Sequence, residues 1–152
     1  MTSPLTHFLP ERVPATPLAD LTARFELRRF VGAAAGLPTE DVPAVAVTGV
    51  SVASNEIGQG DLFVGVGGFK AHGARFAAAA VAAGAVAVVT DEAGALTLPQ
   101  DLGVPVFLHP DPRAAAGLLA DVVYGAPSDS LVTVGGTGTN GKTPTTYLVA
   151  AA

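Results

Sequence analysis

The sequence predicts an α/β fold, on three observations. Short runs rich in β-branched residues alternate with helical segments along the 152 residues, which is typical of strands and helices in one α/β domain. Apolar residues make up 49% of the chain and supply ample material for a core. Near the end, a β-branched run leads into a glycine-rich loop and a helix start. This length suits one ordinary domain and the beginning of another.

The N-terminal part is predicted to hold a flexible lead-in and one helix. Residues 1–15 contain three prolines and no hydrophobic period, which predicts a flexible segment. Thr16 is a good N-cap and Pro17 a good first helical residue. The apolar stripe that follows predicts a helix to about Ala35, ended by Gly36. That stripe consists of Leu18, Leu21, Phe25 and Leu27.

The middle of the chain alternates between strands and loops. Strands are predicted at residues 45–52, 61–66, 85–90 and 103–108. Pro105 favours a sheet edge or the start of its strand, because proline lacks an N–H for the ladder. Loops are predicted at 54–60 and 67–73, after the first two strands. An alanine-rich helix is expected at 74–83, with Gly84 where a C′ glycine would end it.

A helix and a hinge complete the predicted first domain. Asp111 and Pro112 open a helix that runs to Tyr124 and stops at Gly125. The turn-rich residues 126–130 predict a short hinge. We therefore expect a first domain over residues 16–128 and the incomplete beginning of a second over 129–152.

Composition excludes several classes of function. The formal net charge is −5, with a pI of about 4.9 and no basic stripe, so a nucleic-acid partner is not expected. No cysteine is available for a disulfide, a thiolate metal site or a nucleophile. The N-terminus lacks a signal-peptide pattern, and the longest apolar run, 76–89, is too short to span a bilayer. We expect a cytoplasmic monomer with no membrane partner.

The last twenty residues contain the pattern of a nucleotide phosphate site. Gly136 is followed, after four residues, by Gly141, Lys142 and Thr143, and then by the start of a helix. Glycines allow backbone N–H groups to face phosphate oxygens, while the lysine adds positive charge and the threonine hydroxyl can bind Mg²⁺. The helix N-terminus favours the same anion. The pattern predicts an ATP site that begins here and is not completed.

Pro144 is an anomaly within this pattern. It removes one backbone N–H at the first helical turn, where a donor would face phosphate. A charge-assisted hydrogen bond contributes roughly 1.5–3 kcal/mol, so nucleotide affinity could fall about ten- to a hundred-fold. Proline is also tolerated at a first helical turn. The residues alone leave both interpretations open.

Two earlier loops contain polar residues without a specific catalytic arrangement. Residues 51–55 end a strand, and a hydroxyl and an amide there, such as those of Ser54 and Asn55, could bind a polar ligand such as a nucleobase, although capping of a turn by this segment, which begins at Ser51, is the simpler interpretation. Lys70 could meet a diphosphate, although a single loop lysine is usually just solvated. His72 is interpreted as a capping or surface residue, because the histidines show no metal-ligand spacing.

Residues 45–152 closely resemble the start of the Mur ligases, the ATP-dependent amide-forming enzymes of peptidoglycan precursor synthesis. Three groups of stretches, in the right order, carry the resemblance: 50–55 with 60–66 and 68–73; 84–89 with 104–109; and 124–128 with 134–143 and 145–148. Within the family they are most similar to the third-step enzymes. Those enzymes add a diamino acid, meso-diaminopimelate or L-lysine, to UDP-N-acetylmuramoyl-L-alanyl-D-glutamate.

The resemblance implies a fold, site residues and partners. It implies a small uridine-binding domain, followed by the first strand, phosphate loop and helix of an ATPase domain. The partners would be the UDP-N-acetylmuramoyl dipeptide and a diamino acid, with ATP and Mg²⁺ as cofactors. The implied uridine diphosphate ligands are Val52, Ser54, Phe69, Lys70 and Ala71. The implied ATP ligands are Gly138, Thr139, Asn140, Gly141, Lys142, Thr143 and Pro144, with Lys142 catalytic and Thr143 the metal ligand.

The chain departs from the family pattern at three places. The usual Asp-Ser-Arg is Ala53, Ser54 and Asn55 here, which removes an arginine suited to phosphate. Pro144 replaces a threonine, and Gly136 replaces a β-branched residue before the loop. The uridine site is therefore stronger at Ser54 than at Asn55.

The resemblance implies acyl-phosphate chemistry, in which phosphorylation of the substrate carboxylate precedes attack by the amine. The remaining metal ligand, the carbamylated lysine and the amino-acid selectivity residues of the family have no counterpart up to Ala152, so this chain alone should not catalyse ligation. Two other hypotheses stay open. One is a different phosphate-loop NTPase with a regulatory domain. The other is a non-catalytic UDP-sugar-binding module, in which Pro144 marks a decayed loop.

Overall fold

The computed structural model describes residues 13–32, 42–130, and 137, 138, 140, 141 and 144 of the glycine-rich region. The predicted lead-in at 1–15 and the predicted second domain at 129–152 therefore lie largely outside the described residues, as does Gly36. The strands are β1 Thr16–Pro17, β2 Arg28–Phe30, β3 Ala46–Val47, β4 Gly49–Ser51, β5 Asp61–Val64, β6 Ala87–Thr90 and β7 Val106–Leu108. The helices are α1 Leu18–Arg24, α2 Ala77–Ala83, α3 Glu92–Ala95 and α4 Pro112–Val123, with 3-10 turns at Gly73–Phe76 and Pro127–Asp129.

A five-stranded sheet organises the described part of the chain and confirms the α/β class. Its strand order is β2-β7-β6-β5-β4. Strands β4 to β7 run parallel, while β2 pairs antiparallel with β7 at one edge. Strands β1 and β3 form a separate antiparallel pair. Since these four neighbouring strands are parallel, their carboxyl ends all lie on the same side of the sheet, beyond the last residue of each strand.

Apolar side chains cover both faces of this sheet. Successive strand residues point to opposite faces, so Leu62 and Val64 pack on one side and Phe63 on the other. The first face packs against α1 and α4 through Leu18, Leu21, Ala115, Leu119 and Val123, all buried. The second face packs against α2 through Ala77 and Ala80, with Ile57, Ala85 and Leu102 nearby. Helices on both faces of a mainly parallel sheet are the arrangement expected of such a fold.

The predicted helix, capped by Thr16 and running from Pro17 to about Ala35, is wrong in its cap and in its end. Thr16 and Pro17 form β1, and α1 begins at Leu18 without a side-chain cap. The helix ends at Arg24, and Glu26 then adopts a positive φ of 49°. The next residues pair with β7 as strand β2. Part of the segment that was predicted to be helical therefore forms a strand of the sheet instead. The residues Leu18, Leu21 and Leu27 of the predicted apolar stripe are nevertheless buried, as expected.

The other strand predictions are confirmed in place but not in length. The run 45–52 is two short strands, β3 and β4, which pair with different partners. Strand β5 ends at Val64, and β6 starts at Ala87. Pro105 directly precedes β7, which confirms the strand-start alternative, because β7 lies between β6 and β2 rather than at an edge. In the alanine-rich segment, a 3-10 turn precedes α2, and Gly84 ends it with a φ of 123°.

The prediction for α4 is confirmed at both ends. The Asp111 carboxylate accepts a hydrogen bond from the Ala114 N–H at 2.9 Å, which caps the helix. Gly125 follows the helix with a φ of 77°, a conformation that favours glycine. The Tyr124 hydroxyl accepts a hydrogen bond from the Val50 N–H at 3.3 Å and so joins the end of α4 to strand β4. Within the described residues, no helix is long and apolar enough to cross a membrane.

Candidate functional site

The polar loops of the described domain lie at the carboxyl ends of the parallel strands. Val52 and Ser54 follow β4, and Phe69 to Ala71 follow the neighbouring strand β5. Asp91 follows β6. In open α/β sheets, ligands bind in the crevice outside the carboxyl ends of the strands. The sequence-predicted uridine residues thus lie in the loops that follow the carboxyl ends of two adjacent strands, β4 and β5.

The loop after β4 begins with a serine turn. The Ser51 hydroxyl accepts a hydrogen bond from the Ala53 N–H at 3.0 Å, so the turn-capping interpretation of this region is confirmed at Ser51. The Val52 side chain is exposed, and Ser54 is half-buried within the turn. The residues after β4 therefore include an exposed apolar side chain, Val52, and a half-buried hydroxyl, that of Ser54.

The loop after β5 is closed at its stems and open at its tip. Gly67 and His72 form an isolated antiparallel bridge, and the Gly73 N–H donates to the Val66 carbonyl at 2.8 Å. Phe69 is fully exposed, and Lys70 is exposed. An aromatic face and an ammonium group on one loop tip are chemically suited to a nucleobase and a phosphate.

Two side chains hold the stems of this loop, one from α4 and one from the second stem itself. The Arg113 guanidinium, on α4, donates a hydrogen bond from Nη2 to the Gly67 carbonyl at 2.6 Å. At the other stem, His72 Nδ1 accepts a hydrogen bond from the Ala74 N–H at 3.1 Å, which confirms the predicted capping role. The sequence interpretation missed Arg113. A cation in the first turn of a helix, where the macrodipole disfavours it, is the signal that could have found it.

His72 also lies close to the carboxylate of Asp91, the residue that follows strand β6. Since Nδ1 accepts a hydrogen bond, the proton of the neutral ring is assigned to Nε2. Buried Nε2 lies 3.0 Å from Asp91 Oδ1, yet it lacks an aligned hydrogen-bond partner. We treat the contact as electrostatic, because the distance is short and the direction is poor. Asp91, also missed by the sequence interpretation, thereby joins the β5 loop to the start of α3.

Asp91 is held in its charged form. Burial raises the pKa of this carboxyl, but the Gly94 N–H, His72 and the Ala93 N–H lower it by more, so the pKa lies below its ordinary value of 3.8. The Gly94 N–H donates to Asp91 Oδ1 at 2.7 Å as the cap of α3. At neutral pH the carboxylate is therefore available to both His72 and the helix.

Gly94 provides the space in which this contact forms. The buried Thr90 hydroxyl donates to the Gly65 carbonyl at 2.8 Å. A Cβ added at Gly94 would overlap Thr90 Oγ1 and His72 Cε1, and would lie 2.8 Å from His72 Nδ1. The missing side chain thus allows the β6 end and the β5 loop to approach closely.

A cleft of about 500 Å³ lies next to Asp91. Its walls come from the ends of β6 and β7 and from the start of β2, through Glu26, Arg28, Asp91, Glu92, Ala93, Leu108, His109 and Pro110. Arg28 and Glu92 form an ion pair at 2.7 Å there, and both side chains are largely exposed. Such an exposed pair contributes about 0–1 kcal/mol.

Only part of the predicted ATP loop is described. Gly138, Asn140, Gly141 and Pro144 are exposed, and Gly141 has a φ of 82°, which favours glycine. Pro144 is helical, as expected. Thr139, Lys142 and Thr143 lie outside the described residues, so their roles toward ATP and Mg²⁺ stay predictions. Among the described residues, acidic and histidine side chains form no group suited to a metal ion.

The chain is similar to known proteins over this same region. The model of the Mur ligase family, catalytic domain, matches residues 46–126, which is about half of the chain and includes both loops. A UDP-N-acetylmuramoyl-L-alanyl-D-glutamate--2,6-diaminopimelate ligase of Streptomyces avermitilis is 41% identical over 140 residues, which are 92% of this chain and 25% of that protein. A UDP-N-acetylmuramyl-tripeptide synthetase of Leifsonia xyli is 44% identical over 151 residues, 98% of this chain and 27% of that protein.

Solved structures with the same fold extend the comparison. A crystal structure of MurF from Acinetobacter baumannii has a TM-score of 0.55 at 18% identity, and the match covers 71% of this chain and 21% of that one. The chain spans about a quarter of the length of the curated relatives it matches. Because the family model covers the four parallel strands, both loops and α4, the chain belongs to the Mur ligase family.

Proposed function

We propose that this chain supplies the uridine-binding part of an ATP-dependent amide-forming ligase of peptidoglycan precursor synthesis. Its substrate would be UDP-N-acetylmuramoyl-L-alanyl-D-glutamate, and a diamino acid would be added to it. The observation that carries the proposal is the location of the two predicted uridine loops, after β4 and β5 at one edge of the parallel sheet. Relatives at 41% and 44% identity, named for this reaction, support it.

The chemistry of the two loops supports a uridine diphosphate as ligand. Exposed Phe69 offers an aromatic face to the pyrimidine, and Lys70 offers a positive charge to the diphosphate. Ser54 offers a hydroxyl from the neighbouring loop, and Val52 and Ala71 offer apolar contact. Under this proposal the described domain holds and orients the substrate, while the reacting carboxylate is delivered elsewhere.

The glycine-rich loop would hold ATP. The reaction would activate the dipeptide carboxylate as an acyl phosphate, from which the incoming amine displaces phosphate to form the amide. Lys142 would stabilise charge on the transferring phosphoryl group, and the Thr143 hydroxyl would bind Mg²⁺. Gly138 to Gly141 would present backbone N–H groups to the phosphates.

Calorimetric titration of the chain with UDP tests the uridine site. We expect saturable binding that weakens about tenfold in Lys70→Gln, because one charge-assisted hydrogen bond is lost. Arg24→Gln is the matched control, since it removes one exposed positive charge from the end of α1. Equal loss in both variants would mean that only the net charge matters and would contradict a site at Lys70.

A chimaera tests the ligase itself. The aligned residues of the Streptomyces avermitilis ligase are replaced by those of this chain, and ADP release is measured with the UDP-muramoyl dipeptide and diaminopimelate. We expect ADP release that depends on both substrates and disappears in Lys142→Ala.

Other outcomes distinguish the alternatives. ADP release without any dependence on the uridine nucleotide would favour a different phosphate-loop NTPase. A folded chimaera that binds UDP, releases no ADP, and gains nothing from Pro144→Thr would favour a non-catalytic binding module.

A further inference from the structure

The loop of residues 68–71 combines an exposed tip with firmly held stems. Fixing a free loop around a ligand costs conformational entropy for each backbone residue that becomes ordered. Here the stems are already closed by the Gly67–His72 bridge, by a hydrogen bond from α4 and by an electrostatic contact with Asp91 at the end of β6. The side chains that make these two contacts are Arg113, which lies outside the loop, and His72, which is the second stem residue.

Arg113 occupies a position that helix stability does not favour. It lies in the first turn of the twelve-residue helix α4, directly after Pro112, where the macrodipole disfavours a cation. Its guanidinium reaches across to the Gly67 carbonyl at 2.6 Å. The bond therefore joins the first stem of the loop to a helix that is itself capped by Asp111 and packed on the sheet through Leu119.

His72 anchors the second stem with both ring nitrogens. Nδ1 caps the following 3-10 turn through the Ala74 N–H, and Nε2 faces the Asp91 carboxylate. The imidazole side chain is only 14% exposed, which fixes its orientation among Thr90, Asp91 and Gly94. Each stem is thus tied to a different rigid element.

We propose that Arg113 and His72 are positioning residues that hold the 68–71 loop in the conformation that receives the uridine nucleotide. This inference rests on the proposed function. The two residues act through the loop and need not touch the ligand. A loop ordered before binding loses less entropy when the nucleotide arrives, so the anchors raise affinity without adding a contact.

Arg113→Gln separates positioning from folding. We expect the Kd of the chain for UDP to rise about tenfold, because the glutamine cannot span to the Gly67 carbonyl. The thermal midpoint should change little, because removal of a cation from the start of α4 offsets the loss of an exposed hydrogen bond. The charge-matched control Arg24→Gln should leave the Kd within about twofold of the original value.

The Lys70→Gln background distinguishes positioning from direct contact with phosphate. If Arg113 acts through the loop that carries Lys70, Arg113→Gln weakens UDP binding less in the Lys70→Gln chain than in the unaltered chain. If the guanidinium itself touched phosphate, Arg113→Gln would weaken UDP binding by the same factor in both chains, and that result would overturn the positioning role.

Two variants divide the functions of His72. His72→Asn keeps an acceptor near the Nδ1 position for the Ala74 N–H but removes the group that faces Asp91. His72→Gln can reach Asp91 but loses that acceptor. We expect His72→Asn to weaken UDP binding about five-fold while retaining most of the stability that His72→Ala loses.

The outcomes separate this inference from the function on which it rests. No UDP binding by the unaltered chain would contradict the proposed uridine site itself. Normal UDP binding with unchanged Kd values in both Arg113→Gln and His72→Asn would overturn the positioning roles and leave the uridine site intact.

Discussion

Replacing Gly94 by alanine tests whether the close approach at the end of β6 is required. Gly94 is buried in α3, and the added methyl group would overlap both the Thr90 hydroxyl and the His72 ring. One of these side chains must move. If Thr90 rotates, its buried hydrogen bond to the Gly65 carbonyl breaks; if His72 moves, the cap on the Ala74 N–H and the contact with Asp91 are lost.

The magnitude follows from terms of opposite sign. Overpacking of a closely packed site costs about 1–3 kcal/mol, and a broken hydrogen bond adds about 0.5–1.5 kcal/mol. Alanine regains up to about 1 kcal/mol over glycine within a helix. We therefore expect Gly94→Ala to lower the free energy of unfolding by about 2 kcal/mol and to weaken UDP binding as His72 is displaced.

Urea unfolding followed by circular dichroism measures this change, because the chain has no tryptophan. Gly117→Ala is the matched control: Gly117 lies inside α4, and an added Cβ there would meet nothing within 4 Å. We expect the control to gain about 0.5–1 kcal/mol from helix propensity alone. Equal stabilisation by both substitutions would refute the packing argument at Gly94.

Three further predictions concern other contacts, and the same urea unfolding measures them. Asp91→Asn should destabilise the chain most above pH 3.8, and the difference should shrink as the pH falls below that value, because the folded-state pKa of Asp91 is lowered; a difference independent of pH would contradict this. Asp111→Ala should cost about 1 kcal/mol through loss of the α4 cap, and Asp111→Ser should retain most of it. Leu119→Ala should cost about 2–5 kcal/mol, since the side chain is fully buried between α4 and the sheet, whereas exposed Leu118→Ala should cost far less.

Local signals were sufficient where they agreed with the tertiary structure. The Asp111 cap, Pro112 and Gly125 predicted α4, because capping and stop signals act within a few residues of the chain. The loops that hold Ser54 and Lys70 were likewise predicted from their turn residues. The order of strands in the sheet depends on contacts between distant residues, which no local pattern contains.

The N-terminal helix shows how a tertiary contact overrides a local pattern. The periodicity of Leu18, Leu21 and Phe25 suits a helix, and nothing in the sequence marks Glu26 for a positive φ. The pairing of β2 with β7 decides the outcome instead. The anchors Arg113 and Asp91 were missed for the same reason, since their partners lie 46 and 19 residues away, at Gly67 and His72.

The edges of the sheet that the described residues form bear on how this part of the chain resists association with other copies. An edge strand has unpaired N–H and C=O groups that can form hydrogen bonds with a strand of another chain. At the β4 edge the Val50 N–H is already taken by the Tyr124 hydroxyl, and β4 is only three residues long. The opposite edge, β2, is equally short and carries the charges of Arg28 and Arg29. Both edges are thus poor templates for intermolecular strand addition, and Tyr124→Phe would reopen a donor at one of them.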